Sequence, residues 1–386
     1  MNYALKINAV LCCLTLFSSA ANTQEEKTTG AIDEYSSVRT LNLSHALTYD
    51  PWLSASRHQE QAIMAQSIMA GTLPDPTLTL GLMNLPTNGY AFDQEGMTQF
   101  KVSLSQKFSR GDSLSLKQKS LFQSSKQYPW QRADRLAQVK AMVTEFWLNA
   151  YRAQYSINLI EKDKELFTQL IQITEASYAS TQGKTRQQDI IRAQLELTRL
   201  EDKLLILEQQ LHSAKNRLAQ WLPITMLVKS LDDKFIPPVA LTDFNTLEFS
   251  QLMQLLMAHP AIVAIEQSVL AKQTQVSLAK QSYNPQIGVN VGYGYRADTR
   301  MGQSRADLLS VGVSIDLPLF TDNRQDQHVK SAISITEATK TQKRVALQKL
   351  KGMYFKEYSQ LSQLQKRNTL YQNILLVQMA EQSQAT

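Results

Sequence analysis

A repeat of the chain within itself, offset by 209 residues, limits this sequence more than any other feature. Asp50-Pro51 opens one copy and His259-Pro260 opens the other. In each, a polar-apolar run ends at a second proline 25 residues on, Pro76 or Pro285. A strict alternation follows: Leu78, Leu80 and Leu82 in the first copy, and Ile287, Val289, Val291, Tyr293 and Tyr295 in the second. Further on, Val102-Ser103-Leu104 is matched by Val313-Ser314-Ile315. The repeating unit therefore reads as a helix, two strands and a long helical arm. Few strands and very long helices leave little room for a compact fold.

The N-terminus has the pattern of a secretory signal: Lys6, an apolar run from Ala9 to Phe17, then Ser18-Ser19-Ala20. Cys12 and Cys13, the only cysteines, lie inside that run, so a disulfide framework is not expected in the mature protein. Leu11 before Cys12 does not fit a lipoprotein site, and no lipid anchor is expected. No later stretch approaches the ~18 apolar residues of a membrane-spanning helix. The formal charge of +6 is spread over helical faces instead of gathered in a run, which argues against nucleic acid as a partner. The layout expected is a signal peptide at 1–20, a polar leader at 21–40, a first repeat at 41–225, a linker at 226–250 and a second repeat at 251–386.

Leu197, Leu200, Leu204, Leu207, Leu211, Ala214 and Leu218 are spaced alternately by three and four, and Ile190 and Ala193 extend the series in phase. Such a seam predicts left-handed packing against a neighbouring helix. The partner arm is expected over 113–180, with Leu136, Val139, Val143, Phe146, Ala150, Leu166, Leu170 and Ile173 on its inner stripe and Pro129 kinking it or starting its continuous section. At 1.5 Å per residue an arm of that order spans roughly 70–100 Å. Between the arms, Gly183 suits a helix stop and Thr185 with Gln188 a capping box for the return arm at 185–221. In the second copy the outgoing arm has Ile335, Ala338, Val345, Leu350, Leu361, Leu364 and Ile374 as expected inner positions. Thr386 arrives before any counterpart of the first copy's return arm, so the second repeat is expected to be truncated.

The strand pairs expected are 76–83 with 98–108 and 285–295 with 308–319. One face collects Val102, Leu104, Val289, Val291, Val313 and Ile315 with their alternating neighbours. The other collects Lys101, Ser103, Ser105, Gln286, Asn290, Ser314 and Asp316 among glycines. A soluble half-buried sheet has the same alternation. Here, however, the polar face is small-residued and poor in charge, which suits a barrel with lipid outside and water inside. Four strands cannot close, and open edges do not survive in lipid, so several copies would each supply four strands to one barrel.

With these features together, the chain resembles the TolC-type outer-membrane efflux family from about Leu41 onward. The resemblance rests on the duplicated helix–strand–strand–arm unit, the His259-Pro260-Ala261 opening, the strand starting at Pro285, and the segment from Gly183 through Asp189 to Ala193. Leu80-Gly81-Leu82-Met83-Asn84-Leu85-Pro86 and Ser105-Gln106-Lys107-Phe108 resemble the heavy-metal-exporting branch. The resemblance implies a mixed α+β fold: a homotrimer with a twelve-stranded transmembrane barrel over a periplasmic tunnel of antiparallel coiled-coil helices. It also implies the outer membrane and periplasm of a Gram-negative bacterium, contact with membrane lipid, a periplasmic adaptor (membrane fusion protein) and an inner-membrane pump. Cargo would be metal cations or small toxic compounds. Gly183, Thr185, Arg186 and Asp189 match the tip where that family docks its adaptor, and Asp189 matches an acidic position that helps hold the entrance closed.

No catalytic chemistry is expected. His45, His58, His212, His259 and His328 are scattered without ligand spacing, and Met64 and Met69 read as packing residues. Gly288, Gly292 and Gly294 follow the strand period and do not form a phosphate loop. Arg110-Gly111-Asp112 reads as a strand-to-helix turn capped by Asp112 or Ser113. No cofactor or metal site emerges. Two other readings stay open: a soluble periplasmic coiled-coil adaptor or scaffold, and the outer-membrane channel of a type I protein secretion system.

Overall fold

The computed structural model describes residue 48 and residues 50–180, 186–223 and 248–385. The signal and leader segments and most of the 226–250 linker lie outside the described residues, as do Gly183 and Thr185. In chain order the elements are α1 (Pro51–Ala70), β1 (Thr77–Met83), β2 (Gln99–Phe108), α2 (Ser113–Ser125), α3 (Gln127–Ala179), α4 (Gln187–Leu218), α5 (Phe249–Met257), α6 (Pro260–Lys280), β3 (Gln286–Tyr295), β4 (Leu308–Asp316) and α7 (Gln325–Leu370). A π turn over Tyr371–Leu375 and helix α8 (Leu376–Ala385) follow. The chain divides into two compact units, one holding Arg135–Thr246 and the other Leu53–Asp134 with Leu247–Thr386.

The first unit is a pair of antiparallel arms, α3 from Arg135 onward and α4. Their shared core is Val139, Val143, Trp147, Ala150, Ala153, Ile157 and Ile160 against Leu204, Leu211, Ala214, Leu218 and Leu222. Phe146 stacks on Trp221 at 6.2 Å near one end, and Lys164 pairs with Glu201 at 2.9 Å toward the other. The leucine seam of α4 faces inward throughout: Leu204, Leu211, Ala214 and Leu218 are buried, and Ile190, Ala193, Leu197, Leu200 and Leu207 half-buried. Burial thins toward the tip.

The inner stripe of α3 differs from the expected one. Leu166 and Ile173 are 63% and 66% exposed, and Leu136 and Leu170 also face outward. The inward series beyond Ile160 is Lys164, Phe167, Ile171, Thr174 and Ser177, all half-buried. The arm therefore has two apolar stripes, and periodicity alone cannot say which one its own return helix covers. The second unit departs in the same way. Along α7 the inward positions are the buried Thr336 and Thr339, then Lys343, Leu350, Tyr354 and Leu361. Ile335, Ala338, Val345, Leu364 and Ile374 are exposed.

In the second unit α6 is the core helix, with Ile262, Ala264, Val269, Ala271 and Ala279 buried. Ser120 Oγ of α2 donates to Ala271 O at 3.2 Å, Thr274 Oγ1 to Gln123 Oε1 at 2.5 Å, and Lys343 of α7 pairs with Glu266. Together α5 and α6 are apolar enough to be compared with a broken membrane span, but they bend by 59°. Burial of α6 under α2 and α7 makes it a core helix. Among the described residues no single helix is long and apolar enough to cross a membrane.

The four strands form one antiparallel sheet in the order β1-β2-β3-β4. Both hairpins keep the register of the repeat, Leu80 opposite Val102 and Val289 opposite Val313. The central joint, β2 with β3, links the two repeats from Phe100–Tyr295 to Phe108–Ile287. β4 ends at Asp316, short of Leu319, because Pro318 has no N–H for the ladder. The expected arm from 113 is broken at Lys126, and Pro129 falls in the first turn of α3, where no intrahelical donor is needed.

The two repeat openings use different caps. Asp50 Oδ1 accepts from Trp52 N at 3.0 Å while Oδ2 pairs with Arg135 at 2.8 Å. His259 Nδ1 accepts from Ala261 N at 3.3 Å and stands 3.9 Å from Asp134. A carboxylate facing Asp134 would be repelled, which accounts for the neutral cap there. Asp50→Ala is expected to cost about 2–4 kcal/mol, combining a lost cap with a broken, largely buried ion pair. A drop in the temperature of heat unfolding checks this; His259→Asn, which keeps an uncharged acceptor, should leave that temperature nearly unchanged.

Candidate functional site: a two-faced sheet and the arm tip

Alternation and register divide the strand residues between two faces of the sheet. Leu78, Leu80, Leu82, Phe100, Val102, Leu104, Ile287, Val289, Val291, Val311, Val313 and Ile315 share one face. Leu80 is 60% and Val313 64% exposed, and among the described residues no element packs over the face. A contiguous apolar surface of this extent marks contact with lipid or another chain. Aromatic residues bracket it: Phe100, Tyr293 and Tyr295 near the loops, and Phe108 near the helices. Such girdles mark both boundaries of a membrane barrel. Sequence reading missed them, although the strand spacing held the signal.

The opposite face holds Lys101, Ser103, Ser105, Gln286, Asn290, Ser314 and Asp316. Glycines there are floors for neighbouring side chains. A Cβ on Gly294 would lie 1.8 Å from Gln99 Oε1, and one on Gly292 2.9 Å from Lys101 Cε. Asp316 at the end of β4 pairs with Arg110, whose Nη1 also donates to Asn284 O at 2.7 Å. This clasp ties the end of β2 to the end of β4 and had no sequence signature. Gly111 beside it has φ +42°, which fits the turn reading. Asp112 makes no side-chain cap bond; instead Ser113 Oγ donates to Arg110 O.

At the other end of the sheet the segments 84–98 and 296–307 are bound together. Arg296 Nη1 donates to Gly96 O and Arg305 Nη1 to Glu95 O, each at 3.2 Å, and Arg300 stands 3.6 Å from Asp93. Asp307 accepts from the Tyr293 hydroxyl and from Arg296 N, which holds its carboxyl below the ordinary value of 3.8. Its share of loop stability is complete above that value and is lost as pH falls through the lowered one.

At the arm tip, Arg186 is the N-cap of α4, and its N–H donates to Asp189 Oδ2 at 3.0 Å. The cap expected from Thr185 and Gln188 thus sits one residue later, where the acidic side chain at the third helical position also meets the positive end of the helix. Arg186 and Asp189 are both exposed. Among the described residues no group of His, Cys, Asp or Glu is placed to hold a metal ion.

Comparison with known proteins fits this geometry. The fold is similar to that of CusC, with TM-score 0.62 and 15% identity over 89% of this chain and 81% of that one. It is similar to the outer membrane protein VceC of Vibrio cholerae, with TM-score 0.65 and 16% identity over 89% and 83%. It is also similar to the CmeC outer membrane channel of Campylobacter jejuni, with TM-score 0.63 and 13% identity over 90% and 77%. A search of curated protein sequences finds no match. Residues 252–386 match the family described as outer membrane efflux protein. The described residues thus share a TolC-like fold with these channels, and the match to the efflux family covers residues 252–386.

Proposed function

We propose that this chain is the passive exit duct of a tripartite efflux pump. Three copies would each add four strands to one closed barrel, and the arms would continue the duct into the periplasm. The observation that carries this reading is the four-stranded sheet with an exposed apolar face and, among the described residues, no strand on the outer edge of β1 or β4. Unpaired edges are not tolerated in hydrocarbon. An even strand number lets β4 meet the next copy's β1 antiparallel. The exposed stripe of Leu166, Leu170 and Ile173 offers the arms a neighbour of the same kind. A periplasmic adaptor and an inner-membrane pump supply cargo and energy, and the cargo is metal cations or small toxic compounds.

Fractionation tests the reading. Heat-stable trimers in the outer membrane support it, and a soluble periplasmic pool of single chains would replace it with the adaptor reading. The adaptor site belongs at the tip of Gly183, Thr185, Arg186 and Asp189. Gly183→Trp is expected to abolish pump-dependent resistance while leaving the amount of trimer unchanged. Full resistance in that variant would remove docking from this tip.

A further inference from the structure

The polar face of the sheet carries three charged residues, Lys101, Lys107 and Asp316. Asp316 is neutralised by Arg110. Neither lysine has an ion-pair partner among the described residues. Lys107 sits level with Gly288 at the end of β2 nearer the helices, close to the Arg110–Asp316 clasp. Lys101 stands apart from it, flanked in register by Gly81 on β1 and Gly294 on β3. Its stem lies across Gly292, where a Cβ would come within 2.9 Å of Cε, while a Cβ on Gly81 would meet nothing within 4 Å. The glycine floor thus seats the stem and leaves the ammonium facing the space before the sheet. Acidic groups in the neighbouring loops are mostly engaged: Asp93 with Arg300, Asp307 with Tyr293 and Arg296, and Asp298 with the N–H of Arg305.

We propose that Lys101 makes the barrel lumen weakly selective for anions, so that negatively charged solutes and anionic complexes pass in preference to free hydrated cations. The inference rests on the trimeric barrel reading and narrows its cargo to negatively charged toxic compounds and metals carried as anionic complexes, setting aside free metal cations. In a closed barrel, three Lys101 ammonium groups would share one level of the lumen. Like charges at one level raise the local anion concentration, and the effect reaches about 8–10 Å into water at physiological salt. Selectivity should therefore weaken as salt is raised.

The test is the reversal potential of the full chain in planar bilayers under a potassium chloride gradient. The unaltered channel should favour chloride at 0.1 M or so and lose that preference toward 1 M. Lys101→Gln should reduce the chloride-to-potassium permeability ratio about two- to five-fold, and Lys101→Glu should reverse the preference. Gly292→Ala, which unseats the stem and keeps the charge, should shift the ratio less than Lys101→Gln. Lys101→Cys, treated with a water-soluble charged thiol reagent, separates the two levels of the inference. If conducting channels carry a cysteine that the reagent cannot reach, the face assignment is wrong and the proposal falls with it. A reachable cysteine together with reversal potentials unmoved in Lys101→Gln and Lys101→Glu would overturn selectivity while leaving the barrel standing.

Discussion

Arginine at Val313 is expected to prevent barrel assembly, while arginine at the next residue, Ser314, is expected to leave it intact. Val313 lies on the exposed apolar face, opposite Val289. A cation there costs about 2–4 kcal/mol near the bilayer midplane, and a trimer incurs that cost three times. Ser314 lies on the other face, opposite Gly288, where in the proposed barrel an added charge would meet water and alter conductance. The pairs Val102 with Ser103 and Val289 with Asn290 should behave alike. The amount of heat-stable trimer in the outer membrane is the measurement. Equal losses for both members of each pair would mean that the faces are misassigned.

Glutamate at Leu166 together with Ile173 is expected to leave the arm pair folded and to abolish association between copies. Both side chains point away from α4, so the intrachain core of Val143, Trp147, Ala150, Leu211 and Leu218 is untouched. Each buried side chain lost from a helix–helix contact between copies forfeits about 1.5–3 kcal/mol. Trp147→Ala should do the reverse, costing about 3–5 kcal/mol within a single chain. Crosslinking of trimers and limited proteolysis of the arms separate the two outcomes. A double glutamate variant that assembles normally would show that this stripe meets no neighbour.

The sheet was highly legible because its signals are local. The period of two assigned every one of the named strand residues to a face, and prolines 76, 285 and 318 sit at or beside strand ends. The leucine seam was equally plain, since α4 carries one dominant stripe inward. The outgoing arms were harder. Leu166, Leu170 and Ile173 obey the same spacing as true inward positions, and a helix apolar on two sides does not reveal which side its own chain covers. Polar ties such as Arg110–Asp316 and Arg296 with Gly96 were invisible because they join positions some 200 residues apart. The cap at Arg186 was missed by one residue, within the ordinary uncertainty of helix ends.

In the proposed barrel, the outer edges of β1 and β4, unpaired among the described residues, also bear on how quickly the protein can be made. A single chain cannot lower its energy by entering the bilayer alone, since each edge would bring bare amide groups into hydrocarbon. Encounter between chains must then precede or accompany insertion, and the rate should rise steeply with the supply of chains. While waiting, each carries an exposed apolar sheet and open edges, the features that make folding intermediates aggregate. Slow synthesis would therefore prolong the vulnerable stage, and periplasmic holding factors would matter most when expression is lowest.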